Sequence, residues 1–126
     1  MTDPVFLSFE QVLAVHDRSL ALYGGSSGIR NEGLLRSAVD QPLNDHFYGR
    51  VDAFGIAAAY GFHIAQAQAF IDGNKRTAIA VALAFLELNG ISTPTNTAVL
   101  YDAMIGIAER RVSKSDLARF FRELFS

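Results

Sequence analysis

The residues most able to do chemistry lie in one short stretch, IDGNKR at positions 71–76. It combines an acid, a glycine, an amide and two adjacent cations, and a long apolar segment follows it. A helix that begins at Asn74 would present unpaired backbone N–H groups and the positive end of its dipole to this stretch. Gly73 would let the backbone turn and a ligand come close. The pattern favours phosphate binding at residues 73–76.

The two cations strengthen this interpretation because their positions cost helix stability. Lys75 and Arg76 lie in the first helical turn, where each opposes the dipole by roughly 0.3–1 kcal/mol. A bound phosphate would reverse that effect, since it pairs with amide, ammonium and guanidinium groups together. Asp72 adds one hard carboxylate, which is suited to hold Mg²⁺ between phosphate oxygens. Phe70 and Ile71 are expected to anchor the loop by inserting into the core.

An ordinary polar turn is the alternative. In it Asp72 caps the following helix, while Lys75 and Arg76 face water, as D-G and N-K-R tracts often do. The stretch is not a P-loop, because it lacks the G-x-x-x-x-G-K-[ST] pattern and follows a helix rather than a strand. On the residues alone both interpretations stand.

The elements around this loop are predicted to be helices throughout. Apolar residues recur at steps of three and four and no sustained alternation occurs, so the fold class is all-α. The third helix is rich in alanine, contains Gly55 and Gly61, and is expected to be central, with close neighbours. An irregular connection is predicted over residues 42–50, after the helix that Pro42 terminates. The predicted helices cover residues 8–23, 31–39, 52–69, 74–88, about 96–110 and 115–125.

Composition narrows the class of protein. The chain has 126 residues, half of them apolar, which predicts one compact domain over residues 1–126. It has no cysteine, and its three histidines lack the spacing of a metal cluster. A net charge of −2 argues against direct nucleic-acid binding over a broad face. The amino terminus is unlike a signal peptide, and the apolar run 78–86 is too short to span a membrane, so a cytoplasmic protein is expected.

The loop and its surroundings resemble the Fic/Doc family. The family signature, H-x-F-x-[DN]-[GA]-N-[GK]-R, joins two central helices and matches this chain from Phe70 to Arg76. Lys75, where Fic enzymes usually carry glycine, is similar to the Doc ("death on curing") branch. The segments LAVHDRSLALYGG, GIRNEGLLRSAVDQP and FLELNG extend the resemblance over nearly the whole chain.

The resemblance implies a small all-helical toxin of a toxin–antitoxin pair that uses ATP and Mg²⁺. Fic members generally transfer AMP to a protein hydroxyl, whereas Doc members resemble phosphotransferases that act on translation elongation factor Tu. By the same resemblance, Asp72 binds the metal, and the phosphate-binding residues are Gly73, Asn74, Lys75 and Arg76. The family's self-inhibitory motif [ST]-x-x-x-E-[GN] does not occur, because Gly28 precedes Glu32–Gly33 where Ser or Thr is required. Control by a separate antitoxin, docking as a helix over the site, is therefore expected.

One position departs from the signature: Gln68 stands where the family has its catalytic histidine. A carboxamide can orient a hydroxyl but has no usable proton affinity near pH 7, so general-base catalysis is lost. His63 is a poor substitute, since on a continuous helix it points about 140° away from Gln68 at ~100° per residue. His63 and His16 are expected to be packed histidines with one nitrogen bonded.

Three functions follow from these residues. The first is a Doc-type phosphotransferase, or an AMP transferase, impaired by Gln68. The second is a catalytically silent protein that retains a nucleotide- or antitoxin-binding surface. The third is a helical domain whose turn is fortuitous. The basic carboxy-terminal end, with Arg110, Arg111, Lys114, Arg119 and Arg122, is expected to be a solvated face, with a partner surface as the alternative.

Overall fold

A computed structural model of the protein describes residues 3–49, 51–94 and 97–126. Over these ranges the chain folds into six helices, which confirms the all-α class. The helices are α1 Phe9–Tyr23, α2 Glu32–Gly49, α3 Ala53–Ala67, α4 Asn74–Leu88, α5 Thr97–Ala108 and α6 Lys114–Phe125. No helix within the described ranges is long and apolar enough to cross a membrane.

The predicted starts of α1, α2 and α3 are set by side-chain caps. At α1 the Ser8 hydroxyl accepts a hydrogen bond from the Gln11 backbone N–H at 3.1 Å, and the Gln11 side chain accepts from the Ser8 N–H at 2.7 Å. Asn31 accepts from the Leu34 N–H before α2, and Asp52 accepts from the Gly55 N–H before α3. These bonds satisfy donors that a helix start leaves unpaired.

The second helix is longer than predicted. It continues to Gly49, so both the end at Val39 and the irregular connection over residues 42–50 are wrong, with residue 50 itself outside the described residues. Pro42 lies inside the helix, where it lacks an N–H to donate. The Pro42 side chain is buried, and the His46 ring lies 5.6 Å from that of Phe6, centroid to centroid. Tertiary packing therefore outweighs the missing hydrogen bond.

The third helix is central, as predicted. It packs against α2, α4, α5 and α6, while α1 lies on α4. A Cβ placed on Gly61 would lie 3.2 Å from side-chain atoms of both Leu117 and Met104, so the small residue permits close approach of α6 and α5. The largest buried side chains include Tyr60 of α3, Phe85 of α4 and Phe121 of α6. These three helices contribute some of the largest side chains of the core, and the loop between α3 and α4 lies beside it.

Two further helix ends differ from prediction. α3 ends at Ala67 rather than Ala69, because the chain turns there to pair with residues 28–31. α5 ends at Ala108, two residues before the predicted end, and Arg110 takes a left-handed conformation with φ 63°. The predicted start of α5 at residue 96 lies outside the described residues.

The basic carboxy-terminal end is largely neutralised by acids. Four of its cations pair with carboxylates, and the Arg122 guanidinium contacts Asp52 through two hydrogen bonds of 2.9 and 3.0 Å. The other pairs are Arg111–Glu109, Lys114–Asp45 and Arg119–Asp116. This arrangement agrees with the solvated face expected from the sequence.

Candidate functional site

The loop between α3 and α4 is tied to the segment that follows α1. The Ala69 carbonyl accepts hydrogen bonds from the N–H groups of Arg30 at 2.6 Å and Asn31 at 3.1 Å. The Ile71 N–H donates to the Gly28 carbonyl at 3.0 Å. These bonds attach the loop to a segment that lies 38 to 43 residues earlier in the sequence. They hold the acid and the cations of the loop at one edge of the helical core.

Gln68 stands at the turn where α3 ends. Its backbone is left-handed, with φ 47° and ψ 44°, and its side chain is exposed. From the sequence, Gln68 and His63 are expected to lie on one continuous helix and to point in different directions. In the structure that helix, α3, ends at Ala67, one residue before Gln68. His63 remains remote for another reason, because its Nε2 lies 3.2 Å from the Lys114 ammonium on the α6 side of α3.

Phe70 is the internal anchor of the loop, as predicted, and it is fully buried. The Asn74 side chain closes the loop around it, accepting from the Phe70 N–H and donating to the Phe70 carbonyl, both at 3.0 Å. The prediction that Ile71 also enters the core is wrong, because Ile71 is 51% exposed. The Ile71 N–H donates a hydrogen bond to the Gly28 carbonyl, and with the backbone paired in this way the side chain lies outward, over Gly28.

The Asp72 carboxylate is oriented by backbone donors. One oxygen, Oδ1, accepts from the Gly73 N–H at 2.9 Å, and Oδ2 accepts from the Ser26 N–H at 3.2 Å. A Cβ on Gly25 would lie 2.9 Å from Oδ2, so a larger residue there would displace the acid. Asp72 is thus directed toward the loop that follows α1 and does not accept from an N–H group within α4.

The amino-terminal end of α4 has no side-chain cap. Its N-cap residue is Gly73, in a left-handed conformation with φ 77°, and within the described residues no side chain forms a capping hydrogen bond there. The turn itself carries Lys75, which is half-buried, and Arg76. The first backbone donors of α4 and both cations therefore meet at one place.

Arg76 is held between two aromatic rings. Its guanidinium carbon lies 4.1 Å from the centre of the Tyr23 ring and 5.1 Å from that of Tyr101. Tyr23 ends α1 and Tyr101 belongs to α5, so the arrangement joins three helices at the loop. Cation–π attraction restrains the guanidinium beside the α4 terminus.

These groups enclose a cavity of about 490 Å³. Three cations line it, namely Arg30, Lys75 and Arg76, together with one acid, Asp72. Its remaining walls come from Tyr23, Gly24, Gly25, Gln68, Ile71, Gly73, Asn74 and Tyr101. All the sequence-predicted site residues thus border one space, in which positive charge exceeds negative charge.

A second cavity, also of about 490 Å³, adjoins the first. It lies between α1, α4 and α5, and we call it the apolar groove. Its apolar lining includes Val15, Leu22, Ile79, Ala80, Leu83 and Ala98. Tyr23, Arg76 and Tyr101 line both cavities and so form the wall between them.

The single carboxylate at this site could hold Mg²⁺ only if phosphate oxygens of a ligand also bound the ion. Among the described residues no group of three or more His, Cys, Asp or Glu side chains could hold a metal ion. Mg²⁺ is commonly held by one or two carboxylates plus substrate phosphates, and Asp72 meets that minimum. Each Asp72 oxygen retains acceptor capacity beyond its one backbone bond.

Sequence reasoning missed four contributors to this site. Arg30, Tyr23 and Tyr101 reach the cavity from other elements, and His16 lies beneath the loop. The sequence placed His16 correctly as a buried histidine with one bonded nitrogen, but the partner of that nitrogen was not foreseen. A signal was available for Tyr23, which precedes a Gly-Gly turn and so must end its helix next to a loop.

Comparison with known proteins identifies the family to which this constellation belongs. The sequence model described as "Fic/DOC family" matches residues 6–86. The chain therefore belongs to the Fic/Doc family, which confirms the resemblance seen in the loop motif.

Two curated relatives are of the Doc type. "Protein kinase doc" of Escherichia phage P1 is 32% identical over 120 residues, which cover 94% of each chain. "Toxin Doc" of Mycolicibacterium smegmatis is 44% identical over 73 residues, or 55% of each chain.

Proposed function

We propose that this chain is a Doc-type toxin that transfers the γ-phosphoryl group of ATP to a protein hydroxyl in the cytoplasm. Translation elongation factor Tu is the first target to test, because the Doc resemblance implies it. The name of the phage P1 relative, a protein kinase, supports the transfer of phosphate. One observation carries the proposal: three cations border a cavity at a helix start that has no side-chain cap.

In this proposal each residue of the loop makes a different contribution to binding a polyphosphate. The backbone N–H groups after Gly73, with Lys75 and Arg76, pair with phosphate oxygens and the charge that develops on them. The Asn74 side chain keeps the loop closed around Phe70, so only its backbone would face the ligand. Asp72 would hold Mg²⁺, which neutralises phosphate charge when bound.

Gln68 sets the expected rate. It lines the cavity and could donate or accept a hydrogen bond to a substrate hydroxyl, but it cannot take the proton. The attacking hydroxyl would then lose its proton to water as the bond to phosphorus forms and ADP leaves. Loss of a general base typically costs ~10²–10⁴-fold in rate, so a slow enzyme is expected.

A silent binding protein is the second candidate, and Gln68 is the observation that favours it. In that case the protein catalyses no transfer. It acts only by binding a nucleotide in the cavity lined by Lys75 and Arg76, which we call the phosphate cavity, or a partner in the apolar groove. An antitoxin is proposed as the partner of either form, with an amphipathic helix of the antitoxin as the occupant of the groove. Such a helix would lie against Tyr23, Arg76 and Tyr101, which also border the phosphate cavity, and would therefore control access to it.

The experiment is a labelling assay with elongation factor Tu, Mg²⁺ and ATP labelled in either the α or the γ position. Native protein, Gln68→His and Lys75→Ala are compared, with Lys114→Ala as a matched lysine variant remote from the cavity. Transfer of γ-label, lost in Lys75→Ala only, would support a phosphotransferase. Transfer of α-label would instead support AMP transfer. If neither the native protein nor Gln68→His labels any candidate target, while MgATP still binds, the silent candidate replaces the enzyme.

A further inference from the structure

His16 lies directly beneath the phosphate loop although it belongs to α1. It is 3% exposed, and its ring stacks on that of Phe70 with centroids 3.7 Å apart and planes 8° from parallel. Its Nε2 lies 2.8 Å from the Asp72 carbonyl oxygen. Because a carbonyl only accepts, Nε2 must carry the hydrogen and donate it.

We propose that His16 is a positioning residue that sets the conformation of this loop for phosphate binding; the ligand part of this inference rests on the proposed function. The Asp72–Gly73 peptide is planar and trans, so its carbonyl and its N–H point in opposite directions. The bond from His16 directs the carbonyl toward α1. The Gly73 N–H is then directed the other way, where it binds the Asp72 carboxylate.

One buried hydrogen bond therefore orients two features of the cavity. It fixes the carboxylate of Asp72 through the Gly73 N–H, and it fixes the residue from which α4 begins. The ring also lies under the turn itself, since a Cβ on Gly73 would be in ordinary van der Waals contact with it, 3.6 Å from His16 Nε2. Hydrogen bonding to Asp72 and stacking on Phe70 thus act on two residues of the same loop.

His16 is not a replacement for the missing base. It does not belong to the lining of the phosphate cavity, and its Nε2 is already committed as a donor. A group that donates to the backbone at that nitrogen cannot accept a proton there from a substrate hydroxyl. Its role is to hold other residues in place.

The test compares three variants of the full chain, and a fourth is kept as a substitute for the first. His16→Phe retains an aromatic ring for stacking but removes the donor, and His16→Met serves in its place if the Phe variant does not fold. His16→Gln restores an amide N–H near the Nε2 position. Val12→Ala, at a fully buried position on the same helix, controls for general loss of α1 packing.

Two measurements are made on each variant, native-state amide hydrogen exchange over residues 70–76 and calorimetric titration with MgATP. His16→Phe is expected to lower protection of these amides about tenfold and to weaken MgATP binding about fivefold, as loss of one buried hydrogen bond implies. His16→Gln should recover most of the amide protection and most of the MgATP affinity. Val12→Ala should lower the melting temperature while leaving the protection and the affinity unchanged.

Unchanged protection in His16→Phe, or in His16→Met where that variant takes its place, would overturn the positioning role, whatever the ligand result. Equal losses in Val12→Ala would also overturn it, because the effect would then be general destabilisation. If native protein fails to bind MgATP while His16→Phe still loses protection, the proposed phosphate site is wrong. The conformational role of His16 would stand in that case, and its ligand role would fall.

Discussion

The guanidinium carbon of Arg76 lies 4.1 Å from the centre of the Tyr23 ring. This contact joins the first turn of α4 to the last residue of α1, and both residues border the apolar groove and the cavity lined by Arg30, Lys75 and Asp72. Among the described residues, Arg76 forms no ion pair with a carboxylate, so no acid holds the guanidinium in place. The aromatic ring restrains the cation without neutralising its charge.

Replacing this ring is expected to weaken nucleotide binding. Tyr23→Leu removes the π face, and an exposed cation–π contact corresponds to roughly a two- to fivefold loss of affinity. Tyr23→Phe retains the ring and should bind MgATP like the native protein. Calorimetric titration measures both, and equal affinities in the Leu and Phe variants would show that the ring does not position Arg76.

Restoring the general base is expected to raise the rate of transfer. Gln68→His should increase labelling of the protein target ~10²–10⁴-fold with little change in MgATP affinity. The left-handed backbone at this position accepts histidine more readily than most residues. The measurement is initial rate against ATP concentration. A rise in affinity without a rise in maximal rate would contradict the assignment of position 68 to proton transfer.

The backbone at Gln68 also makes a prediction about stability. A non-glycine residue in the left-handed region is strained by roughly 1 kcal/mol, so Gln68→Gly should raise the free energy of unfolding by about that amount. Gln66→Gly, two residues earlier inside α3, should lower it by about 1 kcal/mol. Urea unfolding distinguishes the two, and a loss of stability in both variants would argue against a left-handed Gln68.

The apolar groove predicts where an antitoxin helix binds. Leu22 lines the groove and is 63% exposed, so Leu22→Glu should leave the fold intact and weaken the complex about tenfold or more. Leu34→Glu is the matched control, because Leu34 is 48% exposed on α2, outside the groove. The partner to test is the product of any short reading frame found beside the gene, and affinity is measured by calorimetry. Equal effects of the two variants would place the partner elsewhere.

His63 predicts a pH dependence of stability. Burial, and then the charge of Lys114, lower the pKa of His63 from 6.5 to about 4. Between these values the unfolded chain binds a proton that the folded protein excludes. The contribution of the neutral His63 ring to the free energy of unfolding is therefore fully present above pH 6.5 and is lost as the pH drops toward 4. Because solvent screens the partly exposed ring, the loss is on the order of 1–3 kcal/mol, less than the whole shift would give.

The check is urea unfolding from pH 4 to 7 on native protein and His63→Gln. The variant has no ring to titrate at position 63, so its stability should change less over this interval. Asp45 remains paired with Lys114 in both proteins, at 2.7 Å in the native chain. The same slope in the two proteins would show that other groups cause the pH dependence.

Local sequence signals predicted the starts of α1, α2 and α3 because caps act over three residues. Ser8, Asn31, Asp52 and Ser113 each bond to a backbone N–H three positions later. The helix ends were less predictable, since they depend on distant contacts. Pro42 suggested a break in α2, yet the helix continues through it to Gly49, with Ala38, Val39 and Pro42 buried around that point.

The loop motif itself followed from the sequence, but its surroundings did not. The run from Asp72 to Arg76 indicated an anion site, because residue types and spacing within one turn are a local property. Arg30, Tyr23 and Tyr101 could not be assigned to it, since they reach the cavity from three separate segments. Ile71 was misplaced for a related reason, because its backbone pairs with Gly28.

By itself, the sequence determined the all-helical class, the starts of the first four helices and the presence of one loop with excess positive charge. Those properties follow from hydrophobic periodicity, capping bonds and local charge, which act between near neighbours in the chain. Tertiary structure decided which residues face that loop: His16 below it, Tyr23 and Tyr101 around Arg76, and Gly25 and Ser26 against Asp72. Such contacts depend on how packed helices bring distant segments together, and close packing allows few arrangements of them.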